Sequence, residues 1–467
     1  MNDLSLHKTL HFIGIGGAGM SPIAHVALQK GYKVSGSDLK ESIHTIRLKD
    51  LGAEIFFGQK SANLRKADVV IVSSAISEDN PELMYAKQEK IPLLKRAEML
   101  DLLMAHDSKK ICVAGTHGKT TTSSMITKMI DACGKTPTFI IGAELKDFGR
   151  SATLGSGDYF VAEADESDGS FLSLHPNIGV ITNIEADHLD YYKEFHNIQD
   201  HFQRFMEGVI SRNGYLVLNH DDPTLKMLGE SFAQTHYFSI ETAASVMAKN
   251  IIQEPEGTRF TLFIDGADHG DVYLQVYGKH NVYNALAAIT VGIAEKLPLD
   301  CIKKGLFGFS GTKRRFQLIG KVQDIQIYDD YAHHPTEIKV TLEGAKLSLK
   351  QRLICIFQPH RYTRTRDLLE TFPDAFGHAD EIFITEVYSA NEKKISHISG
   401  KNIVDKMIEK HAASAHFIPK KSDIASAVLK ILKPGDVVVT MGAGDIHTVA
   451  KELLSQLKKV SGDPHPH

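Results

Sequence analysis

Short apolar runs of strand length alternate with longer helix-like stretches through the whole chain, a rhythm that leaves few architectures other than parallel sheets crossed by helices. Strand-like runs fall at 10–15, 33–37, 54–57 and 69–73, then at 111–114, 159–162 and 179–182, and again at 325–328, 353–357, 381–385 and 436–440. A polar stretch at 105–110 separates the first group from the second, and the later part of the second, at 215–218 and 260–264, is richer in β-type runs. The expectation is an α/β protein of three domains, at 1–107, 108–320 and 321–467. A length of 467 residues agrees with this, because single cores stop growing near about 250 to 300 residues.

In open parallel sheets ligands sit beyond the carboxyl ends of the strands, so the loops that follow the runs are where chemistry is expected. Gly115-Thr116-His117-Gly118-Lys119-Thr120-Thr121 follows the 111–114 run and opens a helical stretch, which presents backbone N–H groups and a helix N-terminus to phosphates. Lys119 suits the outer phosphates of a nucleotide and Thr120 suits magnesium. The strict Walker pattern fails, since Val113 stands five before Gly118 and the leading glycine is Gly115. Glu163 closes the 159–162 run and is followed by Asp165, Glu166 and Asp168. A carboxylate at that place suits a metal ligand, with a solvated acidic loop as the plain alternative. His188, after the 179–182 run, suits a second metal site or a structural role.

Three further clusters stand in loops. Gly14-Ile15-Gly16-Gly17-Ala18-Gly19 fits the dinucleotide fingerprint, with Asp38 at the end of the next run, but a helix N-terminus binds the diphosphate of NAD and that of a UDP-sugar alike. Asp329-Asp330-Tyr331-Ala332-His333-His334-Pro335 and His360-Arg361-Tyr362-Thr363-Arg364 each follow a run. Two arginines three apart beside a histidine make a receptor for a carboxylate, which a guanidinium grips with a fork, or else a solvated surface. Lys313-Arg314-Arg315 is a hinge or a phosphate-neutralising cluster.

Composition narrows the class. Hydrophobic residues at 42% and charged residues at 24% are globular values, and a net charge of −4 gives no general attraction to nucleic acid. No apolar window reaches membrane-span length and residues 1–8 lack a leader pattern, so a cytoplasmic protein is expected. Cys112, Cys133, Cys301 and Cys355 form no C-x-x-C pair and are expected as buried, reduced thiols. The terminal Pro464-His465-Pro466-His467 reads as a solvated tail.

Taken in order, GIGGAGMS at 14–21, GTHGKTTT at 115–122, EADESDGSFL at 163–172, NIEADHLDYY at 183–192, KHNVYNALAA at 279–288, GTKRRF at 311–316, DDYAHHPTE at 329–337 and FQPHRYTRT at 357–365 closely resemble the Mur ligase family over essentially the whole chain. The resemblance implies a Rossmann-like UDP-sugar domain, a central P-loop ATPase-like sheet with added β-strands, and a Rossmann-like amino-acid domain. It implies ATP and Mg2+ as cofactors, UDP-N-acetylmuramate and L-alanine as substrates in peptidoglycan precursor synthesis, no nucleic-acid or membrane partner, and a monomer or homodimer.

Carried over by position, Gly115, Thr116, His117, Gly118, Lys119, Thr120 and Thr121 cradle the nucleotide phosphates, with Asn281 and Asn284 at the adenine, Arg315 at the phosphates and Asp330 at the ribose. Thr120, Glu163 and His188 hold metal. Gly14, Gly16, Gly17, Gly19, Met20, Ser21, Asp38 and Ser74 meet the UDP-sugar. Tyr331, His333, His360, Arg361 and Arg364 line the amino-acid pocket, with Lys119, Glu163, His188 and His333 as catalytic candidates. The chain departs from several relatives in lacking a carbamylated lysine after the metal-binding histidine: that stretch reads Phe202-Gln203, and Lys193 lies too close to His188. The departure agrees with the alanine-adding branch. Remaining alternatives are a tripeptide-adding recycling ligase of the same family and an NAD-dependent dehydrogenase.

Overall fold

A computed structural model describes residues 8–254, 256–390, 392–410 and 414–461. The start at 1–7 and the Pro-His-Pro-His tail lie outside the described residues. The described chain forms three sheets. The first is built from β1 (Thr9–Ile13), β2 (Lys33–Asp38), β3 (Glu54–Phe57), β4 (Val69–Val72) and β5 (Leu93–Lys95), in the order β3-β2-β1-β4-β5 with every neighbouring pair parallel. Strand order reverses between β2 and β4, on either side of β1, which puts the 14–19 loop at the switch point where such sheets bind ligands.

The second sheet contains β6 (Lys109–Ala114), β7 (Thr138–Leu145), β8 (Arg150–Thr153), β9 (Tyr159–Glu163), β10 (Ile178–Ile181), β11 (Tyr215–Asn219), β12 (Thr235–Ser239), β13 (Val246–Glu254), β14 (Gly257–Ile264) and β15 (Ala267–Leu274). Its order is β15-β14-β13-β12-β11-β10-β6-β9-β7-β8. The third holds β16 (Gln317–Val322), β17 (Ile325–Asp330), β18 (Leu353–Phe357), β19 (Glu381–Ile384), β20 (Ser414–Phe417) and β21 (Val437–Met441), ordered β16-β17-β21-β18-β19-β20. β16 pairs antiparallel with β17, so the third sheet begins at Gln317 and crosses the boundary expected at 320.

Burial follows strand position. β18 and β21, central in their sheet, are buried at every residue, as parallel strands covered on both faces must be. The edge strands β3 and β20 are short and partly exposed, which limits pairing with other chains. By compactness the chain divides into one unit of 1–249, 261–272 and 283–309 and another of 250–260, 273–282 and 310–467. In the first unit a continuous apolar cluster joins β1 and β4 side chains to those of β6, β9 and β10, with Phe171 stacked on Phe205 and edge-on to Phe202.

The cysteines correct one expectation. Cys112 and Cys355 are buried free thiols, but Cys133 and Cys301 are joined in a disulfide with Cα atoms 5.1 Å apart. Cys133 caps the helix Lys119–Ala132 and Cys301 lies early in the helix Leu299–Phe307. A Cβ at Gly305 would fall 2.5 Å from the Met129 Cα, so the missing side chain lets the two helices press together and brings the sulfurs within reach. At a sequence separation of 168, spacing carried no sign of the pair. Closing so long a loop restricts the unfolded chain by about 2 to 4 kcal/mol. Reduction, or Cys301→Ser, is expected to lower the melting temperature by a few degrees; equal melting curves with and without dithiothreitol would show that the bridge does not constrain unfolding.

Candidate active site

The chain leaves β6 at Ala114 and enters the helix Lys119–Ala132 through a tight reversal, which Gly115 (φ 127°) and Gly118 (φ 84°) make in backbone regions that side chains disfavour. A Cβ at 118 would lie 2.5 Å from Asn284 Oδ1, and one at 115 would collide with Thr182. The loop is therefore shaped by its neighbours. The Asn183 side chain accepts from the His117 N–H at 2.9 Å and donates to the His117 carbonyl at 3.0 Å. The Thr116 hydroxyl accepts from the Glu185 N–H at 2.8 Å. On the other side Thr122 Oγ1 donates to Asn284 Oδ1 at 3.1 Å. Thr120 and Thr121 are nearly buried at the head of the helix, and Gly118 has no side chain to cap it, so the helix N-terminus is available to an anion.

Within this cradle Lys119 is folded back on its own surroundings. Its Nζ donates to the Gly115 carbonyl at 2.6 Å, to the Thr116 carbonyl at 3.1 Å and to Glu166 Oε1 at 2.8 Å. Burial acts to lower the lysine's pKa, but Glu166 and Asp165 outweigh it and hold the ammonium charged above its ordinary range. Burial pushes Glu166 up against the pull of that lysine. Against the cost of desolvation, Lys119 and then Arg96 hold the carboxyl of Asp165, whose side chain stays partly exposed, below the usual range. Glu163, at the end of β9, accepts the Gly142 N–H at 2.7 Å. His188 Nε2 lies 3.5 Å from Asp187 and 3.9 Å from Glu166.

The 14–19 loop belongs to the same unit. Asp38 is engaged with its own backbone: Oδ2 accepts the Gly16 N–H at 2.8 Å and Oδ1 the Leu39 N–H at 2.7 Å. Met20 and Ser21 are buried, while Ser74 is exposed in the turn after β4. A Cβ at Gly19 would lie 3.2 Å from the Arg96 side chain, and Arg96 reaches Asp165 at 3.4 Å. Arg96 thus stands between the first glycine loop and the acidic loop after β9.

In the other unit, loops after β17 and β18 bring together a basic, aromatic cluster. Asp330 is filled by its own segment, accepting the Phe316 N–H at 2.6 Å and the Ala332 N–H at 2.7 Å, and burial raises its pKa to about 6. Arg314 binds Asp329 at 3.1 Å and the Gly442 carbonyl at 2.6 Å. The Arg314 and Arg315 guanidinium groups lie 4.9 and 5.4 Å from the Tyr331 ring centre, within cation–π range. Glu337 collects Arg315 at 3.7 Å and His333 Nδ1 at 3.3 Å. His360 stacks on Tyr388 at 5.6 Å, meets His333 edge-on at 5.9 Å, and has Nδ1 3.4 Å from Arg364. Burial and then His333, Arg364 and Arg361 depress its pKa to about 3, so its imidazole is neutral in any ordinary buffer. Arg361 turns at φ 69°, fixed by its N–H donating to the Tyr388 carbonyl at 2.8 Å. Asn281 donates to the Tyr277 carbonyl at 2.7 Å.

Residues without a role in the sequence reading take part in this geometry. Asn183 and Glu166 lay inside strand-end motifs, and that placement was their signal. Arg96 and Tyr388 carried none, because they come to the loops from distant parts of the chain.

A half-buried lysine beneath a helix-opening glycine loop has one common use, to meet the outer phosphates of a nucleotide, and the class so defined is a nucleotide-handling enzyme. Comparison with known proteins narrows it. Family models match at 9–108 (Mur ligase family, catalytic domain), 113–292 (Mur ligase middle domain) and 314–444 (Mur ligase, glutamate ligase domain). The chain belongs to the Mur ligase family. It is 44% identical to a UDP-N-acetylmuramate--L-alanine ligase of Dictyoglomus turgidum, over 97% of each chain, and 45% identical to one of Pelotomaculum thermopropionicum, over 97% of this chain and 98% of that one. Among crystal structures, UDP-N-acetylmuramate-alanine ligase of Thermotoga maritima is 30% identical with a TM-score of 0.82, covering 97% of this chain and all of the other. A murein peptide ligase of Psychrobacter arcticus is 26% identical with a TM-score of 0.72, over 98% of this chain and all of the other.

Proposed function

We propose that this chain is an ATP-dependent ligase that joins L-alanine to the lactyl carboxylate of UDP-N-acetylmuramate, giving ADP, phosphate and UDP-N-acetylmuramoyl-L-alanine. The full-length likeness to proteins of that name carries the reading, and the phosphate loop supports it. Residues 1–107 take the UDP-sugar, 108–320 the ATP and 321–467 the amino acid. The same reading places the enzyme in the cytoplasm, as a monomer or homodimer working on dissolved substrates without a nucleic-acid or membrane partner.

A carboxylate does not yield to an amine until it carries a good leaving group. The lactyl carboxylate attacks the γ-phosphorus of ATP, ADP leaves, and the alanine amine displaces phosphate from the resulting acyl phosphate through a tetrahedral intermediate. Lys119 offsets charge on the transferring phosphoryl group, and the 115–121 loop with the head of its helix holds the phosphates. Thr120 and Glu163 offer hard oxygen donors and His188 a nitrogen, beside the acidic Asp165 and Glu166, a set suited to a divalent cation such as Mg2+. A cation there supplies charge neutralisation to the phosphates. Asn281 and Asn284 serve the adenine, Arg315 and Asp330 the phosphates and ribose. Arg361 and Arg364 grip the alanine carboxylate, Tyr331 and His360 form the walls, and His333 takes the amine's proton.

ADP formation is expected only when UDP-N-acetylmuramate and L-alanine are both present. Release of ADP with an L-alanine-containing tripeptide in place of the free amino acid would favour the recycling reading instead. The 14–19 loop has its own test. Calorimetry should show UDP-N-acetylmuramate binding and no NADH binding, and the reverse result would return that loop to a dinucleotide role.

A further inference from the structure

Glu166 is 3% exposed, and of its two oxygens one holds Lys119 while Oε2 has no hydrogen-bond partner among the described residues. A buried carboxylate with half its valence unmet is costly, and proteins keep such groups where they act. Its neighbours explain what it does. The ammonium of Lys119 is turned onto Glu166 and the carbonyls of Gly115 and Thr116, that is, onto the loop that should receive phosphate. The Tyr192 hydroxyl donates to the Glu166 backbone carbonyl at 2.5 Å, which fixes the carboxylate's own segment. The Asp165 carboxylate beside it is claimed by Arg96.

We propose that Glu166 is an internal counter-ion that occupies Lys119 in place of the nucleotide's terminal phosphates, so that ATP binds by displacing a carboxylate of the enzyme. The inference rests on the ATP site proposed above and adds a positioning residue to it. Glu166 keeps the lysine charged and in place, and prevents a largely desolvated ammonium from sitting among carbonyls alone. When a polyphosphate arrives, its negative charge meets that of Glu166 across Lys119, and the two compete for the same donors. The competition sets nucleotide affinity below what the loop alone would give, and it weakens binding most where no divalent cation screens the phosphates.

The test is calorimetric titration of ATP, with EDTA and with Mg2+, into wild-type protein, Glu166→Gln and Glu166→Asp, each checked for a native melting curve. Removal of the charge in Glu166→Gln should tighten metal-free ATP binding by about tenfold, or about 1.4 kcal/mol, with a smaller gain when Mg2+ is present. Glu166→Asp, which keeps the charge on a shorter arm, should stay nearer the wild type. A residue that served only the fold would weaken binding or leave it unchanged when replaced, so unchanged or weaker metal-free binding in a folded Glu166→Gln protein overturns the proposal. A loss of affinity confined to the Mg2+ titration would assign Glu166 to the cation and also overturn it. Wild-type protein that fails to bind ATP at all would remove the site, and the inference with it.

Discussion

Lys119→Ala should stop ADP formation, with a loss in kcat on the order of a thousandfold or more. The size follows from where the ammonium sits. It is half-buried, held charged by Glu166 and Asp165 against desolvation, and already within bonding distance of the carbonyls that shape the glycine loop. A cation prearranged in that way lowers the energy of the transferring phosphoryl group without waiting for solvent to reorganise. Truncation also strands the buried Glu166 carboxylate, and losing one partner of a buried pair costs about 3 to 5 kcal/mol. The activity must therefore be read beside a thermal melt. A folded Lys119→Met or Lys119→Ala enzyme with full turnover would sink the assignment of this lysine.

Arg364→Ala should raise the KM for alanine by a hundredfold or so while leaving the KM for ATP near its wild-type value. Truncating one side of a charge-assisted pair costs on the order of 2 to 5 kcal/mol, and Arg364 stands beside a neutral His360 that brings no competing charge. The side-chain end of the substrate is discriminated less sharply. A pocket gains only about 1 to 3 kcal/mol from one methyl group, so glycine and serine should be poor but measurable substrates and larger residues should be excluded by shape. Steady-state kcat/KM across these amines is the measurement. If the ATP and alanine constants rose together in the variant, Arg364 would be a scaffold for its unit instead of a carboxylate receptor.

Much of the architecture was legible because parallel strands write themselves plainly. The run at 353–357 and the strand Leu353–Phe357 coincide, since a strand buried on both faces admits no polar residue to blur its ends. The glycine loops were legible for a related reason, as positions such as 115 and 118 have no other use for glycine than a forced turn or a close neighbour. Half-buried strands were harder. β7 and β8, which pair with each other, and β16, the partly exposed antiparallel partner of β17, went unread, and β16 accordingly straddles the expected boundary at 320. Contacts between distant segments left no trace at all: Cys133 with Cys301, Arg96 with Asp165, and Tyr388 with His360 depend on three-dimensional closure. The backbone partners of two carboxylates were equally invisible, since Asp38 accepts the N–H of Gly16 and Asp330 that of Phe316, each far off in the chain.

Asn284 touches the phosphate loop directly, lying where a side chain on Gly118 would be and bonding Thr122 at 3.1 Å. If that asparagine also meets adenine, the two ends of a bound nucleotide are measured against a single stiff calliper. For inhibitor chemistry the consequence is a fixed ruler. Fragments that grip only the base or only the phosphate loop leave half of the calliper idle, whereas a rigid spacer of the correct span joins them, and the second end then binds at the high effective concentration set by the first.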